Sequence, residues 1–162
     1  MDAKFITHAI SKSWNWRQNE DFAVNMFLKW FESDFISITK AGYMHEVEVK
    51  ISRHDFKADF EKSSRKWDFK AKKDKVLIKH EAIKAGEYGL KTFSFATPEG
   101  LLSRKEIPEY CGHYEVNENG LVITLKDPPI LNNPKKIDEN ELHSLKNFYK
   151  WRWRKLYFEG IK

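Results

Sequence analysis

The chain of 162 residues carries 29 Lys and Arg against 24 Asp and Glu, a net charge of +5 with a pI near 9.1. That length fits one domain over residues 1–162, able to bury roughly two thirds of its unfolded surface, and the basic balance suits a polyanionic partner. Cys111 is the single cysteine, which excludes an intrachain disulfide and a multi-cysteine zinc site, and no run is apolar for long enough to span a bilayer, so no membrane partner is expected. The first sixteen residues lack the apolar core of a signal peptide, and a cytoplasmic protein is expected.

Phe5, Ile6, Ala9, Ile10 and Trp14 recur at helical spacing and predict an amphipathic helix from Phe5 to Trp14. Trp14 and Trp16 read as core or cover. Phe22, Val24, Met26, Leu28 and Trp30 then alternate with Ala23, Asn25, Phe27 and Lys29, the period of a strand leading toward Asp34. Phe35-Ile36-Ser37-Ile38 is the next apolar segment, headed by Asp34. The short Gly-containing link Thr39 to Tyr43 predicts an antiparallel hairpin into His45 to Ile51.

In that second arm Val47, Val49 and Ile51 alternate with Glu46, Glu48 and Lys50, giving one apolar and one polar face. Glu48 and Lys50 therefore project from the same side, and strand pairing brings Asp34 toward them. One reading of the polar face is a solvated antiparallel surface with cross-strand charge pairs. The chemical reading is an all-oxygen site made by Asp34, Glu48 and the carbonyl of Val49, suited to Mg2+ with Mn2+ as a substitute. Lys50 beside such a metal can stabilise developing negative charge or orient an attacking water, as in metal-assisted phosphodiester hydrolysis. As exposed site residues, Asp34, Glu48 and Lys50 are expected to contribute little to stability.

Ser52-Arg53-His54-Asp55 has the form of a capping box, and Phe56, Phe60, Trp67 and Ala71 at near-helical intervals predict a central helix, with a break at Ser63-Ser64 that would divide the stretch to Ala85 into two helices. Its other face, with Lys57, Lys62, Arg65, Lys66, Lys70, Lys72, Lys73 and Lys75, suits a solvated surface and a phosphate-binding one equally well. Lys79 and His80 come next, and His80 has no cysteine or histidine at metal spacing. Gly86 and Gly89 end the helix, Thr92 to Ala96 alternates as a central strand, and Glu115 to Thr124 predicts a hairpin turning at Asn119-Gly120. Lys126 to Lys136, with three prolines, is an extended connector. Asp138 with Glu141 caps a last helix whose stripe is Leu142, Leu145, Tyr149 and Leu156, ended near Gly160. Lys146, Lys150, Trp151, Arg152, Trp153, Arg154 and Lys155 surround the stripe. Such interleaving suits a grip on a nucleic-acid backbone with stacking on unpaired bases, but the favoured reading is a docked helix whose cations are solvated and whose aromatics cover the core.

The run Glu32 to Tyr43, followed by Glu46-Val47-Glu48-Val49-Lys50-Ile51-Ser52-Arg53 and Asp55-Phe56, resembles a family of small phage and bacterial proteins in the PD-(D/E)XK nuclease superfamily, the restriction-endonuclease-like fold. Lys79-His80, Phe93 to Leu101 and Ile107 to Gly112 are similar to later segments of that family, so the resemblance covers most of the chain. It implies an α/β domain with a mixed β-sheet flanked by helices and a C-terminal helix. It further implies that Asp34 is the strand-borne metal ligand, Glu48 the acid of the E-x-K half-motif and Lys50 its lysine. The implied substrate is nucleic acid, with DNA favoured, in the cytoplasm of a bacterial or phage-infected cell. Arg53, Lys79 and His80, joined by Lys150, Arg152 and Arg154 of the last helix, are the expected nucleic-acid contacts.

Two departures stand out. Ser33 replaces the proline of the motif, and the first helix has no acidic residue where many relatives place a metal-supporting Glu, leaving Glu20 or Glu32 as substitutes. The competing expectation is a nucleic-acid-binding or partner-binding protein of the same fold with little or no turnover, and a homodimer is left open.

Overall fold

A computed structural model describes residues 1–14, 19–27, 30–68 and 72–159. Trp16, Leu28, Lys29, Lys70, Ala71 and Gly160 lie outside the described residues. Helix α1 (Ala3–Ser13) is capped by Asp2, whose carboxylate accepts the Phe5 N–H at 2.8 Å. Strands β1 (Asn19–Phe27), β2 (Glu32–Thr39) and β3 (Met44–Val49) follow as an antiparallel meander, with Val24 opposite Phe35 and Phe35 opposite Val47. The expected hairpin is present, turning at Gly42, whose φ of 84° a side chain would resist.

After β3 the chain makes helix α2 (Arg53–Asp59), then strands β4 (Ser63–Asp68) and β5 (Lys73–Ile78), then helix α3 (Lys79–Lys84). It returns as β6 (Thr92–Pro98), parallel to β3, then β7 (Gly112–Val116), parallel to β6, and β8 (Val122–Lys126), antiparallel to β7. Sheet order is β1-β2-β3-β6-β7-β8, a mixed sheet, with β4-β5 as a separate two-stranded ribbon. The last helix, α4 (Glu139–Glu159), opens with the reciprocal cap read from the sequence: the Glu141 N–H donates to Asp138 at 2.8 Å and the Asp138 N–H to Glu141 at 3.0 Å.

The sheet has an apolar layer on each face. Ile6, Ala9 and Ile10 of α1 meet Phe35, Val47, Val49, Ala96 and Val116 on one side, with Trp14 as partial cover. Fully burying each of those isoleucines contributes about 1.5–3 kcal/mol. On the other side Ile36, Met44, Phe56, Ile83, Phe93 and Phe95 form the larger layer, which Leu145 of α4 joins.

Two expectations are corrected here. The expected helix from Phe56 to Ala71 ends at Asp59, and Ser63–Asp68 is a strand. Of its supposed stripe Phe56 is buried, while Trp67 is exposed on β4. The near-helical spacing was accidental, and the β-favouring run Lys75-Val76-Leu77-Ile78 pairs with Ser63 to Lys66 instead. The polar face of β3 is likewise not solvated. Because β3 pairs in parallel with β6, helices and loops cover both faces, and Glu46, Glu48 and Lys50 are all buried.

Candidate active site

Alternation along β3 sends Val47 and Val49 toward α1 and Glu46, Glu48 and Lys50 toward the opposite layer. Glu46 and Glu48 lie level with Phe93 and Phe95 of β6, so the charged row rests on an aromatic bed with little polarity of its own. Helix α2 begins where Ser52 accepts the Asp55 N–H at 3.1 Å. One turn past Asp55, Asp59 points back at the strand.

The result is a closed ion network. Lys50 Nζ donates to Glu48 at 3.0 Å and to Asp59 at 2.7 Å. Lys79 Nζ lies 2.5 Å from Glu48 Oε1 and 2.8 Å from Glu46, the latter at ion-pair distance without a well-aligned hydrogen bond. Lys62 Nζ lies 3.2 Å from Glu48 Oε2 and 2.6 Å from Asp59. Three carboxylates thus meet three ammonium groups. His80 extends the network, with Nε2 2.8 Å from Asp59 and Nδ1 2.9 Å from the Tyr110 hydroxyl, its ring stacked on Phe60 at 4.2 Å.

Burial acts against every charge in this cluster, and the neighbours decide the outcome. Burial pushes Glu48 up, but Lys79, Lys50 and Lys62 outweigh it and hold the carboxyl below its usual range despite Asp59. Burial likewise opposes the ionised form of Asp59, and the hydrogen bond from His80 with Lys79 and Lys50 holds it far below the carboxylate range. Glu46 is raised by burial and by Glu48, against the opposing pull of Lys79. Burial would lower Lys50, but Glu48 and Asp59 push it above the ordinary lysine value, so it is a firm cation and no proton acceptor.

Asp34 sits where β2 and β3 part, one residue beyond the last paired step, Phe35 opposite Val47. Its Oδ2 accepts the Val49 N–H at 2.8 Å. Asp34 is therefore fastened to the middle of Glu48-Val49-Lys50, and burial followed by the Glu48 charge lifts its carboxyl to about 6. It borders a cleft of about 560 Å3 whose walls include Lys4 and His8 of α1, Asn25 of β1 and Arg152 of α4.

Among the described residues no three His, Cys, Asp or Glu side chains converge as a ready-made ion site. Chemically, Asp34, Glu48 and the Val49 carbonyl are oxygen donors of the type a hard cation takes. Among the described residues Asp34 has no ammonium partner of its own within ion-pair distance, and Lys62, 41% exposed, places a cationic head at Glu48 and Asp59 where a metal would compete for the same oxygens.

The other expected contacts are placed as follows. Arg53 is exposed and ion-paired with Glu106. Lys79 and His80 are buried inside the network. Lys150 and Arg154 are exposed on α4, whereas Arg152 is half-buried and donates to the Val24 carbonyl at 2.7 Å. Sequence reasoning missed Asp59, Lys62, Glu46 and Tyr110. For Asp59 a signal existed: a helix started by Ser52 and Asp55 directly after Lys50 turns its next acidic residue toward that lysine.

No family model and no curated protein matches the chain. Among solved structures it is similar to the SPO1766 protein of unknown function from Silicibacter pomeroyi, with a TM-score of 0.58 and 13% identity over 87% of this chain and 82% of that one. At that identity the likeness concerns the fold alone.

Proposed function

We propose that this protein is a metal-dependent nuclease of the PD-(D/E)XK kind, hydrolysing phosphodiester bonds of nucleic acid, with DNA the favoured substrate. The observation that carries the reading is the bond from the Val49 N–H to Asp34, which sets the isolated carboxylate of one strand beside the Glu48-Val49-Lys50 triplet of the next. The order of elements supports a restriction-endonuclease-like reading of the sheet: a helix, three antiparallel strands, a crossover and a parallel strand. Asp34, Glu48 and the Val49 carbonyl would hold Mg2+ or Mn2+, which supplies Lewis-acid stabilisation of phosphoryl oxygens and a more acidic water. Lys50, locked as a cation between Glu48 and Asp59, stabilises negative charge developing on the phosphate. The cleft beside Asp34, with Lys4 and Arg152 in its walls, gives a phosphate a cationic approach.

A second reading, a binding protein with little turnover, is favoured by one feature, the three ammonium groups around Glu48. One experiment separates the two. Purified protein is incubated with labelled single-stranded, duplex and branched DNA and with RNA, in magnesium and in manganese. Cleavage lost in Glu48→Gln and Asp34→Asn is expected. Cleavage that survives in Glu48→Gln overturns the site, and binding without cleavage in either metal favours the second reading.

A further inference from the structure

The β4–β5 ribbon is the part of the molecule that the site does not account for. A two-stranded ribbon is only marginally stable by itself, and this one is held to the body along one face. There Leu77 is buried, Lys66 lies 4.3 Å over the Trp30 ring, and Lys75 is 3.3 Å from Glu87. Its opposite face is open. Cross-strand pairing puts Arg65 beside Val76 and Trp67 beside Asp74, and Trp67, Val76 and Ile78 are 48%, 61% and 36% exposed.

Charge is concentrated here. The described residues of 63–78 hold five Lys and Arg against two Asp, a net +3 within a chain whose total is +5. Arg65, Lys72 and Lys73 have no ion pair among the described residues. Lys66 and Lys75 stand directly opposite each other, a like-charge pairing that costs stability in a ribbon. That pairing lies on the docked face, where Trp30 and Glu87 offset it, whereas the open face holds Arg65 without an ion pair among the described residues, and a polyanion would supply its counter-charge. The ribbon's position points the same way. The residue before β4 is Lys62 and the residue after β5 is Lys79, joined by the Lys79 N–H to the Lys62 carbonyl at 2.9 Å, and both ammonium groups reach Glu48.

We infer that the β4–β5 ribbon is a nucleic-acid-binding arm that takes a single-stranded segment, with backbone phosphates on Arg65 of the open face and Lys72 at the tip and a base stacked on Trp67. An exposed aromatic flanked by unpaired cations is the arrangement that grips an unpaired strand without reading its sequence. A strand held there is led to the Glu48 end of the site by Lys62, the half-exposed lysine at the ribbon's root. The inference rests on the nuclease reading for its substrate class, and its test does not depend on cleavage.

The test is fluorescence anisotropy of labelled dT12 and rU12, with a mixed-sequence duplex of equal length for comparison, in EDTA so that nothing is hydrolysed. Arg65→Glu with Lys72→Glu should weaken binding of single strands about tenfold or more at low salt and reduce the log–log salt slope by about 1.4, two phosphates at about 0.7 each. Trp67→Ala should cost about tenfold and Trp67→Phe much less. These positions are exposed, and unchanged circular dichroism confirms that the variants fold. The control is Lys105→Glu with Lys135→Glu, exposed positions with no assigned nucleic-acid contact, which changes the total charge equally. Equal losses from the two double variants would overturn the arm in favour of a general positive field. Failure of the wild type to bind any of the oligonucleotides would overturn it, as would duplex preferred over single strands or arm-dependent binding seen only with polyglutamate. Arm variants that bind normally while Glu48→Gln abolishes cleavage would sink the arm and leave the nuclease reading standing. Arm-dependent binding with no cleavage in any metal would do the reverse.

Discussion

Lys79 Nζ lies 2.5 Å from Glu48 Oε1, with neither side chain open to solvent. A buried charge stripped of its partner is left uncompensated in a poorly polarisable setting, which costs about 3–5 kcal/mol. Lys79→Met is therefore expected to lower the free energy of unfolding by about that amount in a urea titration, since Glu46 loses its counter-charge at the same time. Adding Glu46→Gln should restore part of the loss. A loss below about 1 kcal/mol would show that water reaches the network.

Asp34 gives a pH dependence of definite sign. Its carboxyl is raised to about 6 from an ordinary value of 3.8, so between those limits the folded chain holds a proton that the unfolded chain releases. Stability from this residue is full below about pH 4 and falls as pH rises toward 6. Allowing for the partial solvent access of the side chain, the change is on the order of 1 kcal/mol. Asp34→Asn keeps an oxygen for the Val49 N–H and has no proton to lose, so its stability between pH 4 and 6 should be flatter than that of the wild type, and higher relative to it at pH 7. Parallel stability–pH curves for the two proteins would refute the assignment.

Metal binding should register as stability before any substrate is known. Magnesium or manganese is expected to raise the thermal midpoint by mass action, and the Asp34→Asn, Glu48→Gln double variant should lose the response. Because Lys62 competes for the oxygens of Glu48, Lys62→Met should shift the metal titration to lower concentration, on the order of tenfold for each 1.4 kcal/mol of relieved competition. An unchanged midpoint in Lys62→Met would remove the competition argument.

Gly86 tests how the connector after β8 is held. Its φ is +71°, and a Cβ would stand 2.3 Å from the carbonyl oxygen of Asn132. Gly86→Ala combines a left-handed backbone with a backbone clash, and a loss of about 2 kcal/mol or more is expected by chemical denaturation. Gly100→Ala, also at positive φ but with nothing within 4 Å of its Cβ, should cost about 1 kcal/mol.

Local and short-range features were legible in the chain. Period-two alternation identified β1, β3 and β6, the apolar segment after Asp34 marked β2, the Asn119-Gly120 turn marked the β7–β8 hairpin, and the Ser52 and Asp138 caps marked two helix starts. The common side of Glu48 and Lys50 followed from the pleat alone, because alternation is a property of any extended backbone. Alternation does not say which face meets solvent. That was decided by the parallel partner β6, 43 or more residues further along, and by the crossover that brings α2, α3 and Asp59 over the polar face of β3. The same long-range pairing turned Lys79 from an expected phosphate contact into a buried partner of Glu48. The antiparallel pairing of β4 with β5 turned the lysine-rich stretch before Lys79 from a helix face into a ribbon, since spacing records neighbours along the chain while burial and ion pairing depend on neighbours across it.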